Sequence, residues 1–303
     1  MDEPEWLTER FEKQRPRLRA VAYRMLGSLS EAEDAVQEAW LRLSGAAHGE
    51  VDNLDAWLTT VVARISLNML RSRKTRSETQ MPDPIIDRPE GTSPEHAALL
   101  AHTVGLALLV VLETLVPAER VAFVLHDIFG MPFEEIAPVV ERTPEAARQL
   151  ASRARRRVQA RNATSDADVE VQRGVVDAFL AAARDGDFHG LVAVLDPDVI
   201  LRADDGTGRP IEVHGAEPVA RRAHAFSRSH LGVRVHPALV NGTPGLVSML
   251  DGTPFSVLAF TVRGGKIAEM DILGDPQRLR QLDLTALDGP TAAFGGSDDT
   301  VGG

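Results

Sequence analysis

The sequence predicts a multidomain protein in which two all-α modules, the second carrying a helix-turn-helix, precede an α+β domain. Three observations predict it. Apolar residues recur at helical spacing through most of residues 7–161. From Val169 onward, one helical pattern gives way to short, Gly-punctuated strand patterns. Two polar stretches, 77–93 (rich in Pro, Asp and Thr) and 162–168, interrupt the periodicity as linkers. The expected divisions are 1–76, a linker 77–93, 94–161, a linker 162–168, 169–285 and a disordered tail 286–303 rich in Gly, Asp and Thr.

In the first module, Glu31–Leu43 sets Ala32, Val36, Ala39, Trp40 and Leu43 on one helical face. Glu31, Asp34 and Glu38 stand together elsewhere on that helix, three and four residues apart. Residues 44–53, with Gly45 and Gly49, read as a loop. The next helix turns Leu54, Trp57, Leu58, Val61, Val62, Ile65 and Met69 inward, then runs into the basic stretch Arg71-Ser72-Arg73-Lys74-Thr75-Arg76.

The second module carries the most specific local signal. Met131–Ala137 reads as a helix, followed by a tight turn and a second helix starting at Thr143-Pro144. A Thr hydroxyl accepts from the unpaired amides of a first turn, and Pro suits the first helical position. Ala147, Leu150, Ala151, Ala154 and Val158 fall on the core side of this helix. Thr143 opens the other face, and Glu145, Arg148, Gln149 and Ser152 continue it. Arg and Gln match guanine and adenine edges in the major groove. Arg153, Arg155, Arg156, Arg157 and Arg161 follow without an acid among them, which suits a phosphate backbone. Arg153, Arg156 and Arg157 join the DNA-facing set.

Past residue 169, a helix to Arg184 precedes strand candidates at 198–202, 232–240, 245–250, 256–263 and 266–272, with Gly264-Gly265 as a hairpin signal. Asp271, His214, His224, His230 and His236 are the acid–base residues here, and none stands at ligand or acid–base spacing. No catalytic residue, cofactor or metal is therefore expected. The absence of Cys excludes disulfides and thiolate zinc sites.

The 303 residues carry a formal charge of −11, so positive charge is local rather than general. That pattern suits DNA contact at chosen faces with a surface left for a basic protein partner. The acidic opening Met1-Asp2-Glu3-Pro4-Glu5 is unlike a secretory leader, and the most apolar run, 104–112, is too short to span a bilayer. A cytoplasmic protein is expected.

Three segments in order resemble bacterial sigma factors of the extracytoplasmic-function group. Tyr23-Arg24-Met25-Leu26-Gly27, Ala32–Trp40 and Asp55–Arg64 look like sigma region two. Pro117–Asp127 and the helix-turn-helix look like region four. The remainder resembles members of that group with a fused SnoaL-like domain of the nuclear-transport-factor-2-like fold, an α+β cone. Met81-Pro82-Asp83-Pro84 resembles their linker motif, Asp205–Arg209 their Gly-rich loop, and Asp271-Ile272-Leu273-Gly274-Asp275-Pro276-Gln277-Arg278-Leu279 their terminal element. This sequence departs from the pattern at Gln80, Gly274, Glu141 and Pro138.

The resemblance implies several roles. Glu31, Asp34, Gln37 and Glu38 would meet the basic coiled coil of core RNA polymerase. Asn53, Arg64, Asn68, Arg71, Arg73, Lys74 and Arg76 would engage the downstream promoter element. Pro82, Asp83, Pro84, Asp275, Pro276, Arg278 and Leu279 would make a regulatory contact, the terminal element docking against region two or the linker. Core polymerase and promoter DNA are the expected partners, with a small-molecule ligand or an anti-sigma protein as further candidates. The alternative reading is a DNA-binding module fused to an isomerase, a cyclase or a ligand-sensing domain. Only a sigma factor would need core polymerase to bind promoter DNA specifically.

Overall fold

The structure is a computed structural model that describes residues 5–45, 53–76, 81–92, 96–97, 105–160, 168–207, 211–230, 232–287 and 292–293. The described residues of Met1–Asp83, Ser93–Thr103 and Leu108–Ala163 form one compact unit, and those of Pro84–Thr92, Val104–Ala107 and Thr164–Gly303 form the other.

In the first unit, α1 (Glu5–Leu26), α2 (Leu29–Ser44) and α3 (Leu54–Arg76) pack on one another. Leu18, Val21 and Met25 of α1, the stripe of Ala32, Ala35, Val36 and Ala39 on α2, and Leu58 and Val62 on α3 are all buried where these helices pack. The alanines of that stripe let the helices approach closely. Gly27 ends α1 with φ +68°, and a Cβ there would lie 2.7 Å from the Glu113 carboxylate. Both facts call for glycine.

The same unit contains α4 (Gly105–Glu113) from Leu108 on, α5 (Pro117–Phe123) with a π-turn at Val124–Ile128, α6 (Phe133–Val140) and α7 (Pro144–Ala160). The two helical modules, expected as separate bodies on a flexible linker, thus share one unit. Two buried arginines join them. Arg120 pairs with Glu113 at 2.7 Å and donates to the Arg24 carbonyl at 3.4 Å. Arg24 lies 5.2 Å from the centre of the Phe129 ring, and burial pushes its guanidinium down to about 10.

The linker is ordered where it was expected to be free. The Asp83 amide donates to the Gly27 carbonyl at 2.7 Å, the Tyr23 hydroxyl to the Asp83 carbonyl at 2.6 Å, and the Leu29 amide to the Asp83 carboxylate at 3.0 Å. Pro84 begins the other unit. There β1 (Ile86–Asp87) joins the sheet, a strand that the Pro- and Asp-rich composition concealed.

The second unit is α+β. Its helices are α8 (Val169–Asp185), α9 (Phe188–Val194) and α10 (Ala216–Ser229), with the short α11 (Pro276–Leu279) near the end. Its main strands are β2 (Leu195–Asp204), β3 (Ile211–His214), β4 (Arg234–Val240), β5 (Thr243–Leu250), β6 (Thr253–Arg263) and β7 (Lys266–Leu273). The sheet order is β1-β4-β5-β6-β7-β2-β3, and only the β2–β7 pairing is parallel among these. Val176, Phe179 and Leu180 of α8 pack with Leu246, Phe260 and Met270 of the sheet.

Every one of the five expected strands is present, most of them extended by a residue or more. The hairpins use Asn241-Gly242, Asp251-Gly252 and Gly264-Gly265, with positive φ at both central residues, the twist that two-residue turns favour. β3, α9 and α10 were not foreseen. The tail also departs from expectation: Thr285–Leu287 form a 3-10 turn, and β8 (Ala292–Ala293) pairs with Val235 and Arg234 of β4. β4 pairs with β1 only through Leu239 and Val240, so the rest of that edge has unpaired backbone groups for a passing segment. The remainder of the tail, most of the 44–53 loop and the second linker up to residue 167 lie outside the described residues.

Candidate nucleic-acid interface

α6 and α7 build the helix-turn-helix. Glu141 makes the turn in the left-handed region (φ 57°, ψ 49°), where Gly is usual, and both its amide and that of Arg142 reach the Ala137 carbonyl. Pro138 sits inside α6 without ending it. Thr143 caps α7: its hydroxyl accepts from the Ala146 amide at 3.3 Å and its carbonyl from Ala147 at 2.9 Å. Ala147, Ala151 and Ala154 are fully buried, and Leu150 and Val158 are half-buried.

The opposite face is open. Glu145, Arg148, Gln149, Ser152, Arg153 and Arg156 together line one shallow surface hollow. Arg148 is anchored by its guanidinium 5.2 Å from the Phe133 ring centre, which limits its rotamers without using its hydrogen-bond donors. Its own backbone amide and the Thr143 hydroxyl hold the Glu145 carboxyl below its ordinary value. Arg157 differs from its neighbours, since it donates to the buried Glu119 of α5 at 2.8 Å. Arg155 is tied to Asp127 at 2.7 Å.

The region-two set is divided. Asn53 is exposed, and its side chain accepts from the Ala56 amide at 3.1 Å, a helix-capping bond. Asn68 is exposed on α3. Arg64 donates to the Pro138 carbonyl at 3.2 Å and Arg71 to Glu141 at 3.2 Å, so both face the helix-turn-helix. Arg73 is a correction: it is 8% exposed, donates to the Leu26 carbonyl at 2.8 Å and pairs with Glu31. It tucks under the end of α1 because that carbonyl and the Glu31 carboxylate together satisfy its donors. The side chains of Lys74 and Arg76 lie outside the described residues.

Glu31 is corrected with it, since its carboxylate serves Arg73 and not a partner. Asp34 and Gln37 are exposed, and Glu38 pairs with Arg42 one turn on at 2.9 Å. Sequence reasoning missed Leu41, which is 58% exposed on α2 beside this acidic face. Its signal was available, as Leu41 falls outside the stripe of Ala32, Val36, Ala39 and Leu43.

The regulatory residues divide between the units. Pro82 and Asp83 belong with the helices, and Pro84 with the sheet. Asp275 caps α11, accepting from the Gln277 amide at 2.8 Å. Arg278 is buried and donates to Asp204 at 3.0 Å, while the Asp204 carbonyl accepts from the Gly274 amide at 2.7 Å. The terminal element is therefore held by the end of β2.

A cavity of about 380 Å³ lies between the sheet and α8 and α10. Among the acid–base residues noted in the sequence, His230 lines it. Asp271 does not: strand alternation turns Met270 and Ile272 inward and Asp271 to the other face, beside Arg202 at 3.1 Å. Burial pushes the Asp271 carboxyl up to about 6, against the pull of Arg202. His214 pairs with Glu212, and His224 packs edge-on to Phe188. No group of three metal-ligating side chains occurs among the described residues, and no described helix is long and apolar enough to cross a membrane.

Comparison with known proteins agrees with this layout. The Sigma-70 region 2 family matches residues 10–76, covering α1 to α3, and Sigma-70 region 4 matches 105–158, covering α4 to α7. The chain is 38% identical over 287 residues to the ECF RNA polymerase sigma factor SigJ of Mycobacterium tuberculosis, covering 88% of this chain and 91% of that one. It is 35% identical over 268 residues to the probable ECF RNA polymerase sigma factor SigI of the same species, covering 86% and 91%. The crystal structure of Mycobacterium tuberculosis SigJ superposes with a TM-score of 0.75 at 36% identity, covering 92% of this chain and all of that one. With both sigma regions matched in order and the similarity running on through the α+β domain, the chain belongs to the extracytoplasmic-function RNA polymerase sigma factors.

Proposed function

We infer that the chain works in the cytoplasm as an alternative sigma factor: it binds core RNA polymerase, recognises promoter elements through its two sigma regions and initiates transcription. The observation that carries this reading is α7, whose capped N-terminal half presents Arg148, Gln149 and Ser152 on an open face above a small-residue core. Arg148 and Gln149 sit where a recognition helix reaches base edges. Arg153 and Arg156 lie further along and suit phosphates. In region two, Asn68, Arg64 and Arg71 are the candidates for the downstream element. Asp34, Gln37, Glu38 and the exposed Leu41 form the proposed polymerase-binding face.

Run-off transcription with purified core enzyme tests the reading, because a sigma factor gives specific transcripts only when both are present. Specific promoter binding without core enzyme would overturn it. Asp34 and Glu38 lie off the apolar stripe, so reversing both to Lys should weaken holoenzyme formation while changing unfolding by only about 0.5 kcal/mol.

The C-terminal domain, with limits proposed at 169–285, modulates activity and does not perform catalysis. The linker supports this role. Asp83 is fixed by three hydrogen bonds in the helical unit, and Ile85 is held in the sheet unit by Asn241, whose side chain accepts from the Ile85 amide at 3.1 Å. Truncation after Arg161 should alter promoter output at matched protein levels. Identical output would make the domain a passenger in transcription.

A further inference from the structure

The cavity of the C-terminal unit has a mostly apolar wall and one polar feature that the fold leaves unused. β5 contributes Leu246 and Ser248 to it, and β6 contributes Pro254, Ser256 and Leu258. These are alternate residues, so their side chains share the inward face. Ser248 and Ser256 are direct cross-strand partners, 2% and 5% exposed. No side-chain hydrogen bond is found for either serine among the described residues. Both hydroxyls open onto the cavity, so two adjacent donors without a protein partner stand in an otherwise apolar wall and can serve a bound molecule.

We propose that this cavity binds a small, neutral, largely apolar molecule with one carbonyl group, whose oxygen accepts from the Ser248 and Ser256 hydroxyls. Directly opposed residues of antiparallel strands have Cβ atoms about 5 Å apart, so both hydroxyls reach one oxygen. A volume of about 380 Å³ lies within the range of small-molecule sites. The charge around the cavity argues for a neutral ligand. Asp204 at its edge is already neutralised by Arg278, and Asp205 is engaged by Thr207. Arg222 is exposed at the lip, and no cation stands beside the serines in the wall. The ligand would enter with its apolar body between Phe179 and Met270 and its oxygen toward the sheet.

Prodan, a neutral naphthalene ketone whose emission moves to the blue in apolar surroundings, tests this on the full-length protein without polymerase or DNA. Saturable one-to-one binding with a blue shift is expected. Replacing both serines (Ser248→Ala, Ser256→Ala) should weaken it roughly tenfold, the effect of two neutral hydrogen bonds. Leu258→Trp, which fills the cavity, should abolish the shift. Ala223→Phe fills it from α10 and serves if the first variant does not fold, as judged by circular dichroism. Absence of saturable binding to the folded parent would overturn the proposal. So would equal affinity in the double-serine variant, or a shift that survives in a folded cavity-filled variant.

Discussion

α3 and α7 carry similar runs of arginine, yet the fold treats them differently. On α7, Arg148, Arg153 and Arg156 stand on an open hollow above buried alanines. On α3, Arg73 is buried against Leu26 and Glu31, and Arg64 and Arg71 are bonded to the helix-turn-helix. Positive charge in a sequence therefore does not measure what is available to DNA. α7 can offer its charge because the residues beneath it are small and apolar and make no demand on it. α3 runs past a helix end and an acidic turn, and both recruit its guanidinium groups.

The largest test of this difference is Arg73→Ala. If Arg73 holds the fold, its removal leaves the Leu26 carbonyl and Glu31 unmatched and lowers stability by about 3 kcal/mol, the lower end for a broken buried pair because Glu31 keeps some solvent. Chemical denaturation measures it, and a change below about 0.5 kcal/mol would return Arg73 to the surface set. Next comes Arg148→Ala on α7. It should leave the denaturation midpoint unchanged and relax preference at one base pair, by roughly 1–3 kcal/mol in a binding-site selection with holoenzyme. Arg157→Ala should instead expose the charge of Glu119 and register mainly as lost stability.

Smaller effects sharpen the same contrast between committed and available charge. The folded-state pKa of Asp271, about 6, lies above its ordinary 3.8, so the folded protein binds this proton more tightly than the unfolded chain. The stabilisation is complete below about pH 4 and is lost as pH rises through 6. Lowering the pH from 7 to 5 should add about 1 kcal/mol from this group alone, and Asp271→Asn should flatten that part of the stability–pH curve. An unaltered curve in the variant would assign the slope elsewhere. The smallest effect is expected for Glu141→Gly. It relieves a left-handed non-glycine residue and loses an exposed ion pair, so stability should move by less than about 1 kcal/mol. Arg71 would lose the Glu141 carboxylate, and the salt dependence of promoter binding should steepen.

Patterns with a short period were legible without coordinates. The helix-turn-helix, its Thr143 cap, the stripe on α2 and five of the sheet's strands follow from side-chain period and turn chemistry, which act within a few residues. Even Glu141 in the turn was visible as a departure. The Asn241-Gly242 and Asp251-Gly252 hairpins were written as plainly as Gly264-Gly265. Partner choice was not legible, because it depends on residues far apart in sequence. Nothing local says that Arg73 answers Leu26, that Arg157 answers Glu119, or that Ile86 pairs with Val240. The sequence alone determined the modules, their order and the chemistry of the exposed α7 face. Only the tertiary structure decided which charges remain free, where the linker is held, and that Ser248 and Ser256 face one cavity, because burial and hydrogen-bond satisfaction are properties of neighbours that only folding brings together.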